Sequence, residues 1–279
     1  MTNLSNLIED IYKTLENCSG VSDDQVDALS KQLSEVLKRR LSETPRSNRV
    51  IGISSIGKPA RQLWFIVHSD IDEKVSGKDR LKFIYGDIIE TILLWLAEIS
   101  GHSVKDRQRE INIDGIIGHQ DAEIDGEVVD VKSASSRSYL KFKEGTIINN
   151  DPFGYIPQLN CYAFARKSDN PAFLAMDKVT GDLCLYFIDN EFNTFNVEEF
   201  IKDRKEMLNR DTPPEDKCYS DIEEENGNRR LSSNCTYCKF KFKCWNNLRA
   251  FKYSNGIKYL TKVIKEPTVK EITNDLSEN

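Results

Sequence analysis

The sequence predicts a mixed α/β fold, because helical and strand patterns follow one another along the chain. A long, strongly apolar helix is predicted over residues 81–100, and strand patterns dominate over residues 104–133. A helix over residues 153–166 is then followed by two further strands, AFLAMDKV and LCLYFID, and by a helix over residues 195–209. This order predicts a mixed sheet with helices packed against it.

The start of the chain predicts two helices. Apolar residues recur at helical spacing over residues 3–17 and again over residues 23–42. The polar, proline-containing stretch SETPRSN then marks a boundary. We therefore expect an N-terminal helical segment over residues 1–45, a core over 46–210, and a cysteine-rich region with a lysine-rich tail over 211–279.

Composition and charge limit the class of protein. The net charge of −6 argues against a protein that coats nucleic acid by bulk electrostatics, although it allows an enzyme that gathers carboxylates around cations. A basic strip near the C-terminal cysteines fits either a nucleic-acid contact or a solvated charged face: Arg229, Arg230, Lys239, Lys241 and Lys243. The sequence shows neither a membrane span nor a secretory signal, so we expect a cytoplasmic protein with reduced cysteines.

The stretch GHQDAEIDGEVVDVKSAS, residues 118–135, predicts a hairpin with charged groups on one face. Asp125 and Gly126 are the expected turn residues. Since alternate side chains of a strand share a face, Asp130 and Lys132 are predicted to point the same way, with Asp121 within reach on the partner strand. The simplest alternative is a polar hairpin face in water.

Two carboxylates and a lysine on one face are reasonable if a divalent cation lies between them. Oxygen ligands suit Mg²⁺ and Mn²⁺, and the cation neutralises the acids. Lys132 is then free to bind a scissile phosphate or to orient the attacking water.

Asp121, eight residues and then Asp130-Val131-Lys132 resemble the signature of the PD-(D/E)XK nucleases, with Gln120 where the signature has proline. The resemblance implies a restriction-endonuclease-like core and a metal-dependent DNA nuclease. It also implies that Asp121 and Asp130 are metal ligands and that the Val131 carbonyl adds another. Glu90, one turn after a glycine on the apolar helix, is similar in type and place to a further metal ligand of this family; a helix-surface acid is its alternative reading.

Further residues resemble the RecB-type branch of that family. Gln158 and Tyr162, one turn apart, resemble its Q-x-x-x-Y pair, which helps to position DNA or water; an ordinary amphipathic helix face is the alternative. ISSIGKPARQLW is similar to the segment that precedes the core in members with an iron–sulfur cluster. CTYCKFKFKCW, with Cys235, Cys238 and Cys244, resembles the C-terminal trio that binds a [4Fe-4S] cluster, as in CRISPR-adaptation and helicase-nuclease members.

The sequence departs from that branch at the fourth cluster ligand. Pro59 stands about where the family has a cysteine, and proline cannot bind a metal. Cys218 is the nearest substitute and Cys18 is the other candidate, while Cys161 and Cys184 are expected to be buried core thiols. Four thiolates suit zinc as well as an iron–sulfur cluster, so Zn²⁺ remains the alternative cofactor.

The resemblance favours an exonuclease that hydrolyses phosphodiester bonds at single- or double-stranded DNA ends, in recombination, repair or phage DNA processing. A recombination or replication protein is the partner this role implies. A structure- or site-specific endonuclease is one alternative, since the same core serves both activities. A DNA-binding module that does not cleave, with a structural metal site, is the other.

Overall fold

The protein is described by a computed structural model over residues 3–17, 21–42, 50–69, 75–188 and 195–272. Two compact units are present: the first comprises Met1–Lys58 and Ser69–Glu206, and the second comprises Pro59–His68 and Met207–Asn279. The division into three sequence segments stays a prediction. No helix within the described ranges is both long and apolar enough to cross a membrane.

The helices follow the apolar periodicity of the sequence. In chain order the structure contains α1 (Leu7–Asn17, after a 3-10 turn at Leu4–Asn6), α2 (Asp23–Ser42), α3 (Ile53–Ile56), α4 (Ala60–His68), α5 (Gly77–Ile99), α6 (Ser136–Lys143), a 3-10 turn (Thr146–Asn149), α7 (Tyr155–Arg166) and α8 (Val197–Leu208). The five predicted helices are confirmed, with ends that differ by a few residues. Sequence reasoning missed α6, because its serine-rich start reads as a loop.

The strands of the first unit form one mixed sheet and one separate hairpin. They are β1 (Val104–Lys105), β2 (Glu110–Ile113), β3 (Ile116–His119), β4 (Ala122–Ile124), β5 (Glu127–Ala134), β6 (Ala172–Asp177) and β7 (Leu183–Phe187). The five-stranded sheet has the order β1-β4-β5-β6-β7, in which only β5 and β6 are parallel, while β2 and β3 pair with each other. The predicted mixed α/β class is confirmed.

The turn between β4 and β5 positions the central strand. Asp125 and Gly126 both have positive φ, 53° and 95°, which suits the two-residue turn that joins twisted strands. β5 is longer than β4, so it continues beyond its partner after Val129, which pairs with Ala122. The second half of β5 therefore has β6 on one side and no β4 residue on the other.

An apolar cluster among the described residues supports this sheet. Leu93 and Leu94 of α5 pack with Val129 and Val131 of β5, and the apolar face of α1, which includes Leu7, belongs to the same cluster. Burying this face stabilises a short helix that is marginal by itself. The carboxylate-bearing face of β5 lies opposite this core.

The second unit contains a small antiparallel sheet beside the cysteines. Its elements are α4, β8 (Ile222–Glu223), β9 (Arg229–Arg230), α9 (Ser233–Thr236), α10 (Lys241–Cys244), β10 (Arg249–Tyr253) and β11 (Gly256–Lys262), with the strand order β10-β11-β9-β8. Arg229 pairs with Asp221 at 2.7 Å, and Arg230 pairs with Glu224 at 3.5 Å. Both arginines of the candidate basic strip are thus engaged by acids of their own unit.

Candidate active site

The candidate site lies where β5 extends beyond the end of its partner strand β4. Asp121 directly precedes β4 instead of lying within it, and its Oδ2 accepts a hydrogen bond of 2.7 Å from the backbone N–H of Val131. A side chain thus replaces the missing strand partner. The N–H and C=O of one strand residue point to the same edge, so the Val131 carbonyl also faces the edge occupied by Asp121.

Asp130 and Lys132 share one face of β5, as predicted. The Asp130 side chain is 1% exposed and forms an ion pair with Lys132. Its Oδ1 has no hydrogen-bond partner among the residues that the structure describes. Val129 and Val131 point to the apolar core instead. An unpaired buried carboxylate oxygen costs free energy, so this acid calls for a further partner.

Glu90 approaches the same cluster from α5. Its Oε1 accepts a hydrogen bond of 2.7 Å from Gln108 Nε2. Burial raises the pKa of Glu90 to about 6, and although the Gln108 bond opposes this rise, the charges of Asp87 and Asp130 add to it. Glu90 therefore lies close enough to interact with the charge of Asp130, and its role as a metal ligand stays a prediction.

The two aspartates have raised pKa values for the same reason. Burial raises the pKa of Asp121 well above its usual range, and the nearby charges of Glu90 and Asp130 raise it further. Burial also raises the pKa of Asp130, against the attraction of Lys132. Burial by itself lowers the pKa of Lys132, but Asp130 and Asp121 outweigh that effect and the net pKa is raised. The cluster thus holds three carboxyl groups with one ammonium.

Gln158 and Tyr162 are brought to the same place by α7. Both are buried, and Tyr162 is close enough to Asp130 and Asp121 for their charges to add to the rise that burial causes in its pKa. Gly118 of β3 makes room for this ring, because a Cβ there would lie 2.8 Å from the Tyr162 hydroxyl and 2.7 Å from Ile53 Cβ. The predicted pair therefore adjoins the acids.

Three neighbours of the site were not predicted. Gln108 holds Glu90, Tyr155 places its ring 4.5 Å from Lys132 Nζ, and Asp151 is near enough to contribute to the raised pKa of Asp130. Tyr155 precedes Gln158 by nearly one helical turn, so helical spacing was a usable signal. Gln108 and Asp151 lie in connecting segments whose position depends on the tertiary structure.

The cysteines of the second unit line one cavity. Cys218, Cys235, Cys238 and Cys244 surround it together with apolar side chains that include Phe65 and Phe240. Burial raises the pKa of Cys218, Cys235 and Cys238, and neighbouring cysteines of the set raise these values further. The predicted fourth cysteine, Cys218, thus joins the trio.

The other cysteines differ in their surroundings. Cys161 on α7 is fully buried, as expected of a core thiol, and burial raises its pKa to about 12. Cys184 is only partly buried, which corrects the expectation, because β7 is an edge strand of the sheet. Cys18 lies outside the described residues.

The carboxylates of the first unit and the cysteines of the second unit are suitable metal ligands by their chemistry, but neither group is arranged as metal ligands are. Within the described ranges, no group of three or more His, Cys, Asp or Glu side chains is arranged so that it could hold a metal ion as it stands. Asp130 is instead engaged by the Lys132 ammonium, and the buried thiols favour their protonated form. Ligation at either site therefore requires a rearrangement or the loss of protons.

Comparisons with known proteins give distant structural similarities. No family model and no curated protein matches the chain. The crystal structure of SSO0001 is similar with a TM-score of 0.39 and 16% identity, covering 77% of this chain and 95% of that one. A phage-related exonuclease from Haemophilus somnus 129PT has a TM-score of 0.41 and 15% identity over 57% of this chain and 91% of its own.

An alkaline exonuclease (LHK-Exo) from Laribacter hongkongensis has a TM-score of 0.29 and 14% identity, covering 55% of this chain and 91% of that one. Similarity at this level assigns neither a family nor an activity.

Proposed function

We propose that this protein is a divalent-metal-dependent DNA nuclease centred on Asp130. The observation that carries the proposal is the buried Asp130 carboxylate, which has one unpartnered oxygen and stands with Asp121 and Glu90, two acids whose pKa is also raised. Such a group of acids is costly in the folded protein unless a cation compensates their charge. Mg²⁺ and Mn²⁺ prefer oxygen ligands of this type.

The metal ligands in this proposal are the carboxylates of Glu90, Asp121 and Asp130 and the carbonyl of Val131. The Val131 carbonyl qualifies because it faces the same edge as Asp121. A bound Mg²⁺ or Mn²⁺ supplies Lewis-acid chemistry: it lowers the pKa of a bound water and offsets the charge on the scissile phosphate. Asp130 Oδ1, which has no hydrogen-bond partner among the described residues, would be the oxygen open to the ion, while Lys132 pairs with Oδ2.

Lys132 acts in its charged form. Its raised pKa keeps the ammonium protonated at neutral pH. A protonated lysine cannot remove a proton from water, so its role is to offset the negative charge that grows on the phosphate and to orient the attacking water. Tyr162, also held neutral by its raised pKa, can donate a hydrogen bond to a phosphate oxygen or to that water, with Gln158 beside it.

Attack on DNA ends is the proposed mode of action. The cytoplasmic location, the role in recombination, repair or phage DNA processing and the partner protein stay predictions. A site-specific or structure-specific endonuclease and a non-cleaving DNA-binding module are the competing outcomes that the following experiment separates.

The test uses end-labelled linear DNA and closed circular DNA in Mg²⁺, Mn²⁺ or EDTA. Three proteins are compared: the wild type, Lys132→Ala, and Lys105→Ala, a matched change at an exposed lysine of β1. We expect metal-dependent loss of linear DNA alone in the wild type and Lys105→Ala, and none in Lys132→Ala. Cleaved circles indicate an endonuclease instead. DNA binding with no cleavage by the wild type would refute the nuclease assignment.

For the second unit we propose a [4Fe-4S] cluster held by Cys218, Cys235, Cys238 and Cys244, with Zn²⁺ as the alternative. The shared cavity supports this assignment, as does its apolar wall, which suits a thiolate-bound cluster. Metal analysis and visible absorption of protein purified without oxygen distinguish iron–sulfur from zinc. Cys235→Ser should lose the metal, whereas Cys184→Ser, a matched change in the first unit, should keep it.

A further inference from the structure

A short segment before α7 displays an aromatic ring beside the proposed catalytic lysine. Phe153 is 55% exposed, and its ring stacks on that of Tyr155, with centroids 5.4 Å apart and an interplanar angle of 25°. Tyr155 in turn lies 4.5 Å from Lys132 Nζ. The exposed Phe153 ring therefore contacts the tyrosine that covers Lys132.

The Phe153 ring forms the outer end of an aromatic row. On its inner side Tyr155 also stacks on Phe142, at 6.3 Å, and Phe142 packs on the buried Phe173 at 5.3 Å. The row runs from the core of the sheet to the surface. Single exposed apolar side chains are common, but one that continues a stacked row into a charged site offers a specific binding surface.

The backbone around Phe153 is fixed on both sides. Asp151 accepts hydrogen bonds from the N–H groups of Gly154, at 2.9 Å, and Ile156, at 2.8 Å. Gly154 has φ of 79° and packs directly on the backbone of Gly57. A Cβ added to Gly154 would lie 2.2 Å from the Gly57 carbonyl carbon. The ring is thus held in place by its own loop, which lowers the entropy cost of stacking a ligand on it.

We propose that Phe153 stacks on an unpaired nucleobase of the DNA strand whose phosphate reaches Lys132. This inference rests on the proposed nuclease function and deepens it by naming the substrate as single-stranded DNA or an unpaired terminal nucleotide. Inside a duplex each base is covered on both faces by its neighbours, whereas an unpaired base can offer a face to the ring. Stacking of this kind tolerates every sequence, because every base has an aromatic face.

The first test measures binding of a single-stranded oligonucleotide in Ca²⁺, with 2-aminopurine placed at successive positions as a fluorescent reporter of stacking. Phe153→Leu is compared with Phe153→Trp and with Phe164→Leu, a matched control that is 43% exposed at the other end of α7. We expect about tenfold weaker binding and lost quenching for Phe153→Leu, since base stacking on an aromatic residue commonly contributes this much. Phe153→Trp and Phe164→Leu should bind as the wild type does.

The second test removes the base instead of the ring. An abasic nucleotide is moved along the oligonucleotide, and one position should weaken binding to the wild type about tenfold while leaving Phe153→Leu unaffected. Because half of this scan uses the unaltered protein, it can still refute the proposal if Phe153→Leu folds poorly, and Phe153→Trp, which keeps a ring, should then show the same position-dependent loss as the wild type. Equal losses in both proteins at every position, or no position-dependent loss in the wild type, would overturn the stacking proposal.

The two proposals fail in different ways. If Lys132-dependent cleavage is present but Phe153→Leu binds and cuts single strands as Phe164→Leu does, the nuclease function stands and the stacking proposal falls. If the wild type cuts no DNA yet shows the abasic effect at one position, the stacking surface stands and the nuclease function falls.

Discussion

The Lys132 ammonium lies 4.5 Å from the centre of the Tyr155 ring, and the same ammonium pairs with Asp130. The ring face attracts the cation independently of the carboxylate. If Asp130 binds a metal ion as proposed, the Tyr155 ring would still hold Lys132 at the site. We therefore infer that Tyr155 positions Lys132 for the proposed reaction.

We predict that Tyr155→Leu lowers kcat about tenfold, because a partly desolvated cation–π contact contributes up to about 2 kcal/mol to the placement of the cation. Tyr155→Phe keeps the ring and should stay within about threefold of the wild type. Steady-state cleavage measured over a Mg²⁺ titration checks this prediction. The kcat should fall, whereas the Mg²⁺ concentration that gives half-maximal activity should stay the same, because Tyr155 acts on Lys132 and not on the metal ligands. Equal losses in both variants would assign the effect to the hydroxyl.

Glu90 links the proposed metal site to pH-dependent stability. Its pKa in the folded protein, about 6, is above its usual value of 4.5, so the folded state binds this proton more tightly than the unfolded state does. Ionised Glu90 therefore destabilises the metal-free protein above about pH 6. This penalty is relieved as the pH falls through 6 towards 4.5.

We predict that Glu90→Gln raises the thermal midpoint in EDTA at pH 7.5 by a few degrees and flattens its pH dependence between about pH 4.5 and 6. The same variant should lose cleavage and most of the stabilisation that Mg²⁺ gives the wild type. Thermal unfolding with and without Mg²⁺ provides the measurement, with the exposed Glu16→Gln as control. Unchanged Mg²⁺ stabilisation in Glu90→Gln would exclude Glu90 as a ligand.

Much of the fold could be predicted because its signals are local. The spacing of apolar residues predicted α1, α2, α5 and α7, and Asp125-Gly126 predicted the turn that sets the β4–β5 register. The helix between β5 and β6 is consistent with their parallel pairing, but which strands are neighbours in the sheet was not predicted, because strand patterns do not specify their partners. The polar start of α6 also hid that element.

The site residues also differ in whether a local sequence signal could predict them. Asp121, Asp130 and Lys132 could be predicted because strand alternation and a tight turn place them together. Gln108 and Asp151 could not, because their contacts with the site depend on how connecting segments pack. The ion pair of Lys132 with Asp130 could be anticipated, but the covering ring of Tyr155 was missed although it is one turn before Gln158.

Gly118 gives a third prediction. A Cβ at this position would meet Ile53 Cβ at 2.7 Å, which cannot move without its backbone, and the Tyr162 hydroxyl at 2.8 Å. We predict that Gly118→Ala lowers stability by about 1–3 kcal/mol and cleavage at least tenfold by displacing Tyr162. Gly77→Ala, where an added Cβ meets nothing within 4 Å, is the control. Full activity in Gly118→Ala would show that the position of Tyr162 is not critical.

Asp87 gives a fourth prediction, because it joins the N-terminal helices to the helix that carries Glu90. Its carboxylate accepts a hydrogen bond of 2.7 Å from Arg39 and two from Arg40, at 2.6 and 2.7 Å. The Asp87 side chain is 12% exposed, so the pairing is far less screened than a surface ion pair. Losing the carboxylate leaves two guanidinium groups of α2 without their shared partner on α5.

We predict that Asp87→Asn destabilises the protein by about 2 kcal/mol, less than a fully buried pair because both arginines are partly exposed. In a double-mutant cycle with Arg40→Gln the two losses should not add, since both variants break the same bond. Glu9→Gln, which breaks the exposed pair with Lys13, should leave denaturant unfolding unchanged. Additive losses for Asp87 and Arg40 would show that this contact does not hold α2 on α5, and other contacts, such as the hydrogen bond from the Trp95 indole to the Gln25 carbonyl, would then hold it.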